Sequence, residues 1–190
     1  MAKQLVKFFI LVSSIVYLSG CITKPEPAPS QPATEPVHLS FTVIGKLGVR
    51  SDQMSESARF SWSQNEQTFD VALIDPFGRQ VMRLTGNDHF AKLETDDQQS
   101  YIADSAESLM LELLGWQLPV NHALYWIQGR PDPAQPFVAK ESGQFVQNEW
   151  RISTLAHTTL SSGKTAPRKL KLSHTQLDVT LIISEWQFPH

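Results

Sequence analysis

The strictest constraint on this chain is the run Leu177, Val179, Leu181, Ile183, in which every second residue is apolar and most neighbours are polar. Successive side chains of an extended strand point to opposite faces, so such a run is a strand with one dry and one wet face. The same period recurs in Phe41, Val43, Gly45, Leu47 and Val49, broken by Ile44. It recurs in Ala58, Phe60 and Trp62, in Phe69, Val71 and Leu73, in Met82 and Leu84, and in Leu170 and Leu172. One-sided burial belongs to antiparallel sheets, because parallel sheets are covered on both faces. Short alternating strands separated by polar turns predict a curved sheet or barrel.

The middle of the chain changes period. Ser105 is placed to cap a helix whose first turn is Ala106, Glu107 and Ser108. Leu109, Met110, Leu113 and Leu114 then form a helical stripe, and Gly115 is placed to end it. A second short helix is expected from about Val120 to Gln128, closed by Gly129 with Pro131 beyond. The chain is therefore expected to be mostly β (α+β), with two short helices roofing a bent antiparallel sheet. Its five tryptophans are spread over sheet and helices. They either fill a solid core or line an apolar cavity, and composition leaves both open.

The first 20 residues have a different character. Lys3 and Lys7 precede an apolar run, Phe8 to Leu18, interrupted by Ser13 and Ser14. That run is shorter than the roughly 20 residues of a membrane-crossing helix and fits a signal peptide. It ends in Leu18-Ser19-Gly20-Cys21, and Cys21 is the only cysteine in the chain. This arrangement resembles the lipobox of bacterial lipoproteins, which implies lipidation of Cys21 and removal of residues 1–20. Two or three acyl chains hold a protein stably where one does not. From Cys21 to His38 the chain is rich in proline, with Pro25, Pro27, Pro29, Pro32 and Pro36. Such a segment favours an extended polyproline helix reaching up to roughly 50 Å at about 3.1 Å per residue, a tether for a domain spanning 39–190.

Catalytic constellations are missing from the sequence. The six histidines, His38, His89, His122, His157, His174 and His190, show no metal-ligand spacing and are read as surface or incidental residues. Asp96-Asp97 and Ser161-Ser162-Gly163 read as solvated loops. No nucleophile elbow, phosphate loop or zinc-helix motif occurs. No enzyme activity, cofactor or metal is expected. The balance of 16 Lys and Arg against 19 Asp and Glu argues against nucleic acid, and loss of Lys3 and Lys7 makes the mature chain more acidic.

One turn stands out. In Asp75-Pro76-Phe77-Gly78, Asp at the first position, Pro at the second and Gly at the fourth are the choices of a type I turn. Phe77 then sits at the tip of a hairpin, where water is expected. If Asp75 and Gly78 close the turn, Ile74 faces Arg79, Val71 faces Met82, Asp70 faces Arg83 as an ion pair, and Phe69 faces Leu84. Proline excludes the usual two-residue hairpin turns, so a longer loop is open, and a symmetric extension keeps the faces.

Six stretches together resemble the LolB family of outer-membrane lipoprotein receptors: IGKLGVR (44–50), ARFSW (58–62), LIDPFGRQVMRL (73–84), AESLMLELLGWQLPVNHALYWIQG (106–129), NEWRI (148–152) and APRKLKL (166–172). The resemblance implies an incomplete antiparallel β-barrel with short helices forming a lid over an apolar cavity. It implies that the cavity receives lipoprotein acyl chains from the periplasmic carrier LolA, and that the protein, a monomer, passes them to outer-membrane lipids. The candidate cavity residues are Phe60, Trp62, Val71, Leu73, Met82, Leu84, Leu109, Leu113, Trp116 and Trp126. The family's hairpin tip bears an exposed bulky apolar residue, often leucine, needed for delivery into the membrane. Phe77 matches it, flanked by Asp75, Pro76 and Gly78. Ile22 after the lipid cysteine is not the aspartate that commonly retains lipoproteins in the inner membrane, which fits an outer-membrane destination.

Overall fold

A computed structural model describes residues 40–115, 117–175 and 177–189. The signal peptide, Cys21, the tether and Trp116 lie outside the described residues. Among the described residues, eleven strands and two α-helices follow one another: β1 (Ser40–Arg50), β2 (Ser55–Asn65), β3 (Thr68–Ile74), β4 (Gln80–Asn87), β5 (Phe90–Thr95), β6 (Ser100–Ala103), α1 (Ala106–Leu114), α2 (Val120–Trp126), β7 (Val138–Ala139), β8 (Phe145–Gln147), β9 (Trp150–Thr159), β10 (Thr165–Ser173) and β11 (Asp178–Gln187). They form one antiparallel sheet in the order β6-β5-β4-β3-β2-β1-β11-β10-β9-β8-β7. The edge strands β6 and β7 do not pair, so the barrel is incomplete.

The period-two residues explain how the sheet coheres. Register aligns Val43, Trp62, Val71, Leu84, Leu93 and Tyr101 in one row across six strands. A second row runs Val49, Val179, Leu172, Ile152 and Phe145. Both rows belong to the single hydrophobic core or pack against it. Each fully buried Val, Leu or Phe contributes about 1.5–3 kcal/mol, and a slip of one residue would put a whole strand's set into water.

The sheet bends where β1 meets β11. Pairing jumps from Ile44 opposite Glu185 to Gly45 opposite Ile183, leaving Ser184 as the extra residue of a bulge. The Ser184 hydroxyl donates to the Ile44 carbonyl at 2.9 Å. Gly45 is demanded by close approach, since a Cβ there would lie 2.2 Å from the Ile182 carbonyl oxygen and 2.9 Å from the Phe60 ring.

The helices begin and end where their caps dictate. The Ser105 side chain accepts the Ser108 N–H, and Gly115, at φ 74°, donates its N–H to the Leu111 carbonyl. α2 stops at Trp126, and Gly129, at φ 75°, takes the left-handed position beyond it. α1 packs on β5 and β6. α2 is held to the sheet by buried polar groups. The Trp126 indole N–H donates to Gln147 Oε1 at 2.7 Å, and that oxygen also accepts the Asp132 N–H at 2.9 Å. Gln147 Nε2 donates to the carbonyls of Asp132 and Gln135. Asp132 Oδ2 meets His122 Nδ1 at 2.6 Å.

This clamp corrects one sequence expectation. His122 is no incidental surface residue; it ties the first turn of α2 to a buried aspartate. His174 likewise stacks on Trp150, with ring centres 5.2 Å apart. Both partners are distant in sequence, so no local spacing signals them.

Candidate functional site: an apolar cavity beside an exposed ring

Between the inner face of the sheet and the helices lies a cavity of about 480 Å³, within the range of ligand sites. β1 to β4, β10 and β11 supply its walls, and Met110, Leu118, Val120, Ala123 and Ile127 supply its roof from α1, α2, the link between them and the residue after α2. Nearly all the lining is aliphatic or aromatic. Its polar residues, Glu56, Ser57 and Asp75, gather where β2 begins and β3 ends. Such a space offers apolar contact along its length and water at one end. Among the described residues, no group of three His, Cys, Asp or Glu side chains is placed to hold a metal ion.

Of the residues singled out from the sequence, Phe60, Trp62, Val71, Leu73, Met82 and Leu84 line this cavity. Leu109 and Trp126 do not: both are buried in the packing around it. The Trp126 indole is turned to Gln147, and its ring lies against Trp150, with ring centres 6.1 Å apart. Leu113 packs half-buried on the core without reaching the cavity. The helical stripe marks a buried face, but neighbouring positions on that face look in different directions, so Met110 lines the cavity where Leu109 does not. Leu47, Val49, Val179, Leu181 and Leu172 also line it, and their alternation already carried the signal.

The hairpin between β3 and β4 begins at the polar end of the cavity, because Asp75 and Pro76 belong to the lining. Gly78 N–H donates to the Asp75 carbonyl at 3.0 Å, closing the expected type I turn. Gly78 then takes φ 87°, and the Asp75 N–H donates to the Arg79 carbonyl at 2.9 Å. The Asp75 carboxylate organises the loop. Oδ1 accepts the N–H groups of Phe77 and Arg79 at 2.8 and 2.9 Å, while Oδ2 takes the Arg79 guanidinium at 2.7 Å. The Arg79 backbone N–H, with the guanidinium and the Phe77 N–H, holds this carboxyl below its ordinary pKa of 3.8. Phe77 stands on top, 87% exposed, the most exposed large apolar residue among those described.

The register differs from expectation by two residues. Leu73 faces Met82 and Val71 faces Leu84, with Gly86 opposite Phe69. Gly78 adds one residue by closing the loop at Arg79, and Val81 adds a second as a bulge between Gln80 and Met82. An even shift preserves the faces, which is why the apolar set stays inside. Asp70 and Arg83 are no longer directly opposite, yet they pair diagonally, with Nη2 to Oδ2 at 2.6 Å.

Comparison with known proteins agrees with this geometry. The family model described as "Outer membrane lipoprotein LolB" matches residues 39–186. The outer-membrane lipoprotein LolB of Pseudomonas aeruginosa is 34% identical over 197 aligned residues, covering 95% of this chain and 96% of that protein. Its namesake in Pseudomonas putida is 37% identical over 152 residues, covering 77% of this chain and 74% of that protein. Among solved structures, a LolA-superfamily protein from Nitrosomonas europaea superposes with a TM-score of 0.51 at 9% identity, covering 82% of this chain and 88% of that one. A DUF1329-family protein from Desulfovibrio piger gives 0.50 at 5% identity, covering 80% and 86%. The last two speak to fold alone.

Proposed function

Because this chain belongs to the LolB family of outer-membrane lipoproteins, we propose that its cavity takes lipoprotein acyl chains from a LolA-type periplasmic carrier and that Phe77 delivers them to the membrane. The protein is an outer-membrane lipoprotein receptor; Cys21 is the residue that would carry its lipid. The single observation behind the delivery step is the placement of Phe77. The most exposed ring among the described residues is mounted on the loop whose first residues, Asp75 and Pro76, help form the polar end of the cavity.

The physical need is plain. Each methylene kept from water is worth about 0.8 kcal/mol, so an acyl chain does not cross an aqueous space unsheltered. The cavity offers shelter without a catalytic step, and the handover runs downhill in affinity from carrier to receptor to bilayer. An aromatic ring on a stiff loop inserts at the headgroup level and sets the cavity end against the membrane.

The test separates uptake from release. Phe77→Glu should fold, take lipoprotein from the carrier in solution, and fail to pass it to liposomes, while Phe77→Leu releases normally. Normal release by Phe77→Glu would remove the ring from the mechanism. Failure of uptake by the mature protein with Phe77 retained, made soluble by Cys21→Ala, would remove the receptor reading itself.

A further inference from the structure

A second concavity, of about 570 Å³, lies at the opposite end of the sheet. The turn between β9 and β10, the last residues of β11 and the segment after α2 form it. Its shelf is aromatic: Trp186 and Phe188 stack with ring planes 5° apart and centres 5.4 Å apart. The shelf is fixed, because the Trp186 indole N–H donates to the Pro167 carbonyl at 2.8 Å and the Trp186 ring meets Phe41 edge-on. Arg130 and Lys164 belong to the lining, and among the described residues no acidic one does.

We propose that residues 31–39 of this chain, the end of the Pro-rich tether, dock in this groove as a polyproline segment. Three observations converge. The described residues start at Ser40, and Thr42 pairs with Gln187, between the two shelf rings, so the start of β1 lies beside the groove. Residues 31–39 read QPATEPVHL, with Pro32 and Pro36 for an aromatic shelf. Aromatic-lined grooves recognise proline segments because the extended helix is ordered before it binds. Glu35, the segment's one charge at neutral pH apart from any on His38, complements Lys164. At about 3.1 Å per residue the segment spans roughly 25 Å, enough to cross the groove. Covalent attachment raises its local concentration to about the millimolar range, so weak contacts suffice. Docking of residues 31–39 would take up half of residues 22–39 and so halve the reach of the anchor.

The experiment is proton NMR on the whole mature chain, kept soluble by Cys21→Ser. Ring protons of Pro32 or Pro36 should show cross-relaxation with the rings of Trp186 or Phe188. The Trp186 indole resonance should move when residues 31–39 are replaced by Gly and Ser at equal length. Glu35→Lys and Lys164→Glu, both harmless to the core, should each weaken the cross-peaks at least severalfold, and the two together should restore them. An indole resonance indifferent to the replacement, with no cross-peaks, overturns the proposal. Cross-peaks from His190 alone overturn the assignment of occupant, and cross-peaks indifferent to charge reversal overturn the role of Glu35.

Discussion

Asp75 shows how much a single side chain can decide. Its two oxygens bind two backbone N–H groups and one guanidinium, and together they fix the loop that carries Phe77. Asp75→Ala should leave the sheet folded but speed amide exchange at Phe77 and Arg79, as hydrogen-exchange NMR would read. The same carboxylate gives the loop a pH dependence. A carboxyl whose folded pKa is lowered stabilises the loop fully above its ordinary value of 3.8 and ceases to do so as pH falls through the lowered value. Loop order should therefore be constant from neutral pH to about 5 and disappear only in strong acid; loss near pH 6 would mean that another group holds it. The turn was legible in the sequence because Asp, Pro and Gly each have one physical role at their positions. The register was not, because the Val81 bulge adds a residue that no local preference announces, beyond the one that the left-handed Gly78 adds to the longer loop Pro76 left open. Gly45 is a further residue-scale case. Gly45→Ala should cost about 1–3 kcal/mol in a urea titration, since its methyl would meet the backbone of β11.

Among the elements, α1 and α2 are attached by different physics. α1 follows from its own caps, Ser105 and Gly115, which are local signals legible in the sequence. α2 has no side-chain cap and depends on Gln147, which lies 21 residues beyond Trp126. Gln147→Leu would leave the Trp126 indole and the Asp132 N–H without their acceptor in a dry interior. An unsatisfied buried donor costs about 1–3 kcal/mol, so the variant should lose roughly 2–4 kcal/mol of stability while the exposed Gln99→Leu loses almost none. Equal midpoints in urea for the two would show that the clamp contributes nothing. Such long-range polar pairs are the part of the architecture that sequence reading misses. Alternation and caps act over a few residues; which glutamine answers which indole is decided only once the sheet has brought β8 under α2.

For the molecule as a whole, the open eleven-stranded sheet and its roof must be stable while leaving space inside. The period-two face predicted that a core exists, but a filled core and a hollow one share the same alternation. The distinction lies in volumes that do not close, about 480 Å³ of them, bounded by residues from six strands and two helices. Ala123 gives a direct handle, because it is buried and its small side chain faces that space from α2. Ala123→Leu would extend apolar atoms into the void. Burial at about 25 cal/mol per Å² should keep stability level or raise it, provided the added atoms find room. Leu109→Ala does the reverse, removing packing beside the cavity and costing about 2–5 kcal/mol while leaving the lining intact. An acyl-chain fluorophore should therefore bind Ala123→Leu severalfold more weakly than the unaltered protein, although the variant melts no lower. It should bind Leu109→Ala normally at temperatures where that variant is folded. A solid interior inverts this pattern: overpacking would destabilise Ala123→Leu, and no variant would bind the probe.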